Sequence, residues 1–154
     1  MELAPYLREE HMLILPGLTN RDELLEQIAT LAAGSLDGLD AAELTGRLLK
    51  REESAPTGTI EGVAFPHVLS EDIGDTVVIV ALAPSGVQFS GPAGGQCDLI
   101  FAMFGNAAQP WNHVRLLARM ARLLHTEDSR KRLRAASTPQ ELLAALLAED
   151  RAHG

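Results

Sequence analysis

The sequence predicts an α/β protein in which one β-sheet lies between two layers of helices. Two segments, Thr76–Leu82 and Asp98–Phe104, are apolar and nearly free of charge, which is typical of strands buried on both faces. The predicted elements follow the order β, α, α, β, β, β, α, α, α. Because strict β–α alternation is absent, a doubly wound nucleotide-binding fold is disfavoured. The length of 154 residues fits a single domain over 1–154.

The remaining strands are short and are bounded by Pro and Gly. The apolar run His11–Leu15 ends at a Pro-Gly pair, and Gly62–Phe65 is followed by Pro66, which we expect to end that strand. Pro84–Gly95 is rich in Gly and Pro and is predicted to be a loop with a short turn of strand around Val87–Phe89.

Five helices are predicted from their first residues. Three begin at a capping residue with Glu three positions later, which is the capping-box pattern. A fourth begins at a Pro suited to the first helical turn, and a fifth is strongly basic. The predicted starts are Asn20, Asp40, Pro110, Glu127 and Thr138.

The charge distribution limits the kind of partner. The chain has 13 basic and 21 acidic residues, a net charge of −8, which argues against nucleic acid or an anionic membrane surface as the main partner. Residues 57–105 contain no Lys or Arg. If this segment handles an anion, neighbouring segments must supply the positive charge.

The N-terminus lacks the pattern of a signal peptide, and Cys97 is the only cysteine, so no intramolecular disulfide can form. The charge-free stretch Thr76–Gln96 contains Pro and Gly and cannot be a spanning helix. We therefore expect a cytoplasmic protein that does not insert into a membrane.

Common cofactor and catalytic motifs are missing from the sequence. There is no phosphate-binding loop, dinucleotide fingerprint, serine elbow or H-E-x-x-H pair, and the five histidines lack metal-ligand spacing. The sequence thus predicts no cofactor and no metal, and disfavours ATP use, serine hydrolysis and zinc catalysis.

His67 stands out because Pro66 gives it a rigid mount at the end of an apolar strand. No cation lies nearby in sequence, so we expect a largely neutral imidazole, which is a competent nucleophile toward a phosphoryl group. The residues alone favour instead a histidine in a loop at a strand end with no chemical role.

A family resemblance favours the chemical role. The segments Arg51-Glu52-Glu53, Thr57-Gly58 and Gly62–His67 resemble the pattern R-E … S/T-G … G-[IV]-A-[IVL]-P-H. That pattern marks the fructose/mannitol-type enzyme IIA domains of the bacterial sugar phosphotransferase system, which include nitrogen-regulatory proteins. The likeness continues through Val77–Leu82, Gly86-Val87, Phe89, Asp98–Phe101, His113-x-x-Leu116-Leu117-Ala118 and Thr138–Leu147, and so covers nearly the whole chain.

The resemblance implies an α/β/α sandwich on a mixed sheet and a phosphoryl relay. The matched histidine would accept a phosphoryl group from an HPr-like carrier protein. It would then pass the group to a cysteine of an enzyme IIB partner, or its phosphorylation would signal to a transporter or kinase. The alternative is a regulatory binding module of the same fold that is never phosphorylated. Sugar specificity and oligomeric state are not predicted.

The resemblance also implies the supporting residues. Arg51 would bind phosphoryl oxygens, although an Arg at a helix C-terminus also complements the helix dipole. His113 would donate an N–H to the phosphoryl group, or else it packs at the core edge. Thr57 and Gly58 would offer a hydroxyl and a backbone N–H, or are ordinary loop residues. Asp98 would orient a histidine, or caps its strand.

Two positions depart from the family pattern, which commonly has glycine where this chain has Ile60 and Val68. Both residues add β-branched bulk, and we expect it to hinder close approach of the backbone to the phosphoryl group. Glycine at both positions is therefore predicted to speed transfer.

Overall fold

The computed structural model describes residues 1–59, 61–89 and 95–153. Within these ranges it has five strands and five α-helices, preceded by two short 3-10 turns. The strands are β1 (Met12–Ile14), β2 (Val63–Ala64), β3 (His67–Ser70), β4 (Val77–Gln88) and β5 (Gln96–Asn106). The α-helices are α1 (Arg21–Ala33), α2 (Ala41–Ser54), α3 (Pro110–Leu123), α4 (Glu127–Arg134) and α5 (Pro139–Ala152).

The sheet is mixed. β4 and β5 form an antiparallel centre, β1 pairs parallel with β4, and both β2 and β3 pair parallel with β5. β2 and β3 follow one another along the same edge of β5. The bend between them contains Pro66, and His67 follows it as the first residue of β3, next to the central strand.

Alternate side chains of the central strands pack into two separate hydrophobic cores, one on each face of the sheet. This confirms the predicted sheet between two layers of helices. Ile79 and Ala81 face the core shared with α1 and α2. Val80 and Leu82 face the core shared with α3, α4 and α5. This period of two is what an apolar strand covered on both faces requires.

The predicted helix starts are confirmed. The side chains of Asn20, Asp40 and Thr138 accept hydrogen bonds from backbone N–H groups three residues later. These bonds satisfy donors that the first turn leaves without partners. Among the described residues, no helix combines the length and the apolar character needed to cross a bilayer.

The strand predictions need two corrections, both beside a proline. β2 ends before Pro66, as predicted, but a strand that was not predicted, β3, begins at His67 and continues along β5, and the Pro66 carbonyl accepts from Met103 N at 3.0 Å. The predicted strand around Val87 is present, but Pro84 does not separate it from the preceding strand, since β4 runs to Gln88. Its residues 83–86 bulge between the Leu82 and Val87 pairings, which absorbs the missing donor.

Candidate functional site

His67 is the first residue of β3, and its ring is oriented by the bend that precedes it. Its Nδ1 lies 2.9 Å from the carbonyl oxygen of Phe65. A carbonyl can only accept, so Nδ1 carries the ring proton and Nε2 carries the lone pair. The backbone thereby selects the ring nitrogen that can act as a nucleophile.

Arg51 lies in the last turn of α2 and contacts that lone pair. Its Nε donates to His67 Nε2 at 3.1 Å, and its Nη1 donates to the carbonyl of Ala55 at 2.5 Å. The helix end therefore brings a cation to a strand that has none of its own, although 16 residues separate Arg51 from His67.

His113 packs against the acceptor ring from the first turn of α3. The two imidazole centroids are 4.9 Å apart, and the rings are inclined at 52°. The His113 side chain is buried, with 8% of the residue exposed, and its Nδ1 has no hydrogen-bond partner among the described residues. Packing, rather than a hydrogen bond at Nδ1, holds this ring in place.

Both histidines are held in the neutral form. Burial is the main cause that lowers the pKa of His67, and nearby Arg51 acts in the same direction. Burial, followed by repulsion from His67 in its protonated form and from Arg51, lowers the pKa of His113 to about 4. Because the neutral imidazole is the nucleophile, His67 is ready to react at neutral pH.

The buried state of His113 predicts an acid-sensitive stability. The unfolded chain binds a proton below pH 6.5 that the folded protein refuses until about pH 4. Unfolding free energy should therefore fall as pH drops through this window. A His113→Gln variant should lose less stability over the same window, as measured by urea unfolding. Matching losses in the wild-type and variant proteins would contradict this account, and His125→Gln, at an exposed position, is the control.

An open cleft of about 430 Å³ lies beside the acceptor. Its charged wall comes from α2 and its floor from β3; the lining residues are Arg47, Lys50, Arg51, Ser54, His67, Val68 and Leu69. Arg47 is engaged by Glu43 and Asp72, at 2.5 and 3.0 Å. The cleft suits a small anion brought to the acceptor from outside.

Thr57 and Gly58 lie in the loop after α2, and neither is among the residues that line the cleft beside His67. The Thr57 hydroxyl lies between the Glu52 carboxylate and the N–H of Phe65. Gly58 packs so tightly that an added Cβ would lie 2.9 Å from Phe89 Cβ. Their arrangement fits a role in shaping the loop.

Asp98 is not brought to a histidine. Its carboxylate is paired at 2.9 Å with Arg134 of α4, and Arg134 also donates to the carbonyl of Glu61 at 2.6 Å. Asp98 therefore ties the start of β5 to α4.

The two departures from the family pattern have different outcomes. Ile60 lies outside the described residues. Val68 lines the cleft, but its side chain is buried in the core beside α1 and α2, with 6% of the residue exposed. Val68→Gly would therefore remove a core side chain as well as open the site, so any gain in transfer rate must be read beside the stability of the variant.

Sequence reasoning missed the involvement of Glu52 in the site. Glu52 is only 1% exposed. It follows Leu44 and Leu48 on the buried face of α2, at a spacing of four residues. A carboxylate in the position of an apolar stripe was the available signal, because a buried acid needs dedicated partners.

The chain is similar to known proteins in both sequence and structure. The family model described as "Phosphoenolpyruvate-dependent sugar phosphotransferase system, EIIA 2" matches residues 5–149. A nitrogen regulatory protein of Pseudomonas aeruginosa is 33% identical over 128 residues, covering 83% of this chain and 82% of that protein. A fructose-specific EIIA component of Haloferax volcanii is 31% identical over 118 residues, 75% of each chain.

Solved structures share the fold. The nitrogen regulatory protein IIA-Ntr of Neisseria meningitidis superposes with a TM-score of 0.84 at 23% identity, covering 94% of this chain and 98% of that one. Enzyme IIA mannitol of Escherichia coli, in its complex with phosphorylated enzyme IIB mannitol, gives 0.76 at 19% identity, covering 92% and 97%. Both show the same α/β architecture.

Proposed function

Since the chain belongs to the type-2 EIIA family of the phosphoenolpyruvate-dependent sugar phosphotransferase system, whose members are phosphotransfer components, we propose that it is a phosphohistidine relay protein. His67 accepts a phosphoryl group from the phosphohistidine of an HPr-like carrier. The observation that carries the proposal is the Nε2 lone pair, set by the Nδ1 contact to Phe65 and facing Arg51 in an open cleft.

The transfer step is a displacement at phosphorus. The lone pair on His67 Nε2 forms the new N–P bond while the carrier's N–P bond breaks, and the carrier imidazole leaves with that electron pair. The ring proton stays on His67 Nδ1 throughout, hydrogen-bonded to the Phe65 carbonyl. The chemistry therefore requires chiefly alignment and stabilisation of charge.

Arg51 has to turn aside for the phosphorus to reach Nε2, because its Nε now donates to that atom. The same small movement lets its planar guanidinium bind phosphoryl oxygens, which carry about two negative charges. Lys50 adds a second cation to the wall of the cleft. The acceptor is thus covered by the group that stabilises its phosphorylated form.

Onward transfer goes to a cysteine of an enzyme IIB in this proposal, or the phosphorylation state acts as a signal of the nitrogen-regulatory kind. Likeness to the IIA of the solved mannitol complex supports a IIB partner, and the nitrogen regulatory relative supports the signalling role. A cytoplasmic location goes with either role.

We expect the carrier to dock on an apolar patch consisting of Leu69, Trp111 and Val114. These residues are 39%, 78% and 55% exposed. Leu69 lies two residues beyond His67 on β3, and the other two flank His113 on α3. A small, partly apolar interface suits a transient exchange.

Other apolar residues near the acceptor are less available for docking. Val68 and Phe89 are buried, Val87 is fully covered within β4, and Phe65 is half-buried against Phe101. Among the described residues, the patch is therefore the exposed apolar surface beside the acceptor.

Trp111→Glu should slow transfer from the carrier by about tenfold or more, because it places a charge at an aromatic docking position. Labelling of His67 by a small phosphoryl donor should be unchanged. Gln140→Glu, at an exposed position of α5, controls for the added negative charge. Equal loss with both donors would indicate a folding defect and contradict the docking role.

Reconstitution tests the proposed function. Incubation with phosphoenolpyruvate, enzyme I and HPr should add about 80 Da to the intact mass, the mass of one phosphoryl group, and acid should remove it. If the wild-type mass does not change while a known IIA is phosphorylated in the same mixture, the chain is a binding module rather than a relay.

A further inference from the structure

A partly buried chain of hydrogen bonds runs from α2 to the acceptor histidine. It begins at Glu52, whose carboxylate accepts from Thr57 N at 2.6 Å and from Thr57 Oγ1 at 2.9 Å. Thr57 Oγ1 in turn accepts from Phe65 N at 3.2 Å. The carbonyl of Phe65 then accepts from His67 Nδ1 at 2.9 Å.

The donors and acceptors in this series of hydrogen bonds can be arranged in only one way. The Thr57 oxygen receives the Phe65 N–H, so its own proton must be given to a group that only accepts. The oxygens of the Glu52 carboxyl group supply lone pairs for this proton. Among the described residues, all the hydrogen bonds that the Glu52 carboxyl oxygens accept come from Thr57, from its backbone N–H and from its hydroxyl.

Phe65 is consequently held on both sides of its Cα. Its N–H is fixed by Thr57, its carbonyl by the His67 ring, and its own ring packs 6.2 Å from that of Phe101. Pro66 removes the remaining freedom between the two residues. Loss of the Thr57 contact would free one side of this support.

We propose that Glu52 and Thr57 are positioning residues which, through the Phe65 backbone, fix the tautomer of His67 and so keep the lone pair on Nε2. The inference rests on the proposed function of His67 and adds two residues that touch neither the phosphoryl group nor the reacting nitrogen. It also explains why an acid occupies a core position of α2, where its burial would otherwise be costly.

The test measures the tautomer directly, by nitrogen-15 NMR of the labelled histidine rings, without any phosphoryl donor. Wild-type His67 should show a protonated Nδ1 and an unprotonated Nε2. Thr57→Val keeps the shape of the side chain but removes the hydroxyl, and it should give a mixture of tautomers. Thr57→Ser should restore the wild-type spectrum.

Glu52→Gln extends the series. The amide oxygen of the glutamine can still accept from Thr57 N, but the amide nitrogen cannot accept the proton of the Thr57 hydroxyl. It should give an intermediate tautomer mixture and slow phosphorylation, with Thr57→Val slower by about tenfold to a hundredfold, the usual cost of losing a partner that orients a histidine. Glu53→Gln, the exposed neighbour on α2, should behave as wild type.

A folded Thr57→Val protein in which His67 remains wholly in the Nδ1–H form would overturn the proposal, as would an unchanged transfer rate. Thermal unfolding of each variant shows whether it is folded at the measuring temperature. Because the tautomer is read without a donor, failure of the relay function leaves wild-type phosphorylation absent but still lets the NMR series decide the positioning role.

Discussion

His67→Ala should abolish phosphorylation of this protein in the reconstituted system. The variant lacks the nitrogen that Phe65 and Arg51 prepare, and no other side chain in the cleft is a neutral imidazole. His113 lies close by, with its ring centroid 4.9 Å from that of His67, but the residue is buried. Intact mass should show no gain of about 80 Da.

His125→Ala is the matched control for this experiment, because it removes an exposed histidine from the segment between α3 and α4. It should be phosphorylated like the wild type. If the mass gain persists in folded His67→Ala, the acceptor lies elsewhere and the assignment is wrong.

Arg51→Gln should have the second largest effect, slowing transfer to His67 by about a hundredfold. The guanidinium is the cation in direct contact with Nε2, and it stabilises charge that develops on the transferring group. Arg51→Lys should recover part of the rate, since it restores the charge without the planar fork. Rates would be measured from rapid-quench time courses.

Arg47→Gln provides the comparison on the same wall of the cleft. Arg47 is already paired with Glu43 and Asp72, so its loss should slow transfer less than the loss of Arg51. Equal effects of the two substitutions would show that general positive charge, rather than the Arg51 contact, carries the rate.

The helices could be predicted closely because their signals are local. A capping side chain and the N–H three residues on form a bond within one turn, so Asn20, Asp40 and Thr138 mark their helices without any knowledge of the fold. Strand ends are different. Pro66 and Pro84 each lack a donor, and only the partner strand decides whether pairing continues past them.

The residues of the site, too, fall into those that could be predicted from the sequence and those that depend on the folded chain. The resemblance selected Arg51, His67 and His113, and the structure places these three side chains together. The resemblance did not indicate that Asp98 would pair with Arg134, because α4 reaches β5 only in the folded chain.

Which nitrogen of His67 is free could not be read from the sequence at all. It depends on the direction of one carbonyl, that of Phe65, and so on a loop held by Glu52 and Thr57. The buried acid on α2 was visible as a pattern, but its partner five residues later became clear only from the loop geometry.

The central claim, that His67 accepts a phosphoryl group at Nε2, is tested most directly by NMR of the phosphorylated protein. Phosphorus–nitrogen coupling in protein labelled with nitrogen-15 histidine identifies the bonded ring nitrogen. The account predicts coupling to Nε2 of His67, with Nδ1 still protonated and bonded to the Phe65 carbonyl. Coupling to Nδ1 of His67, or to the ring of another histidine, would contradict it.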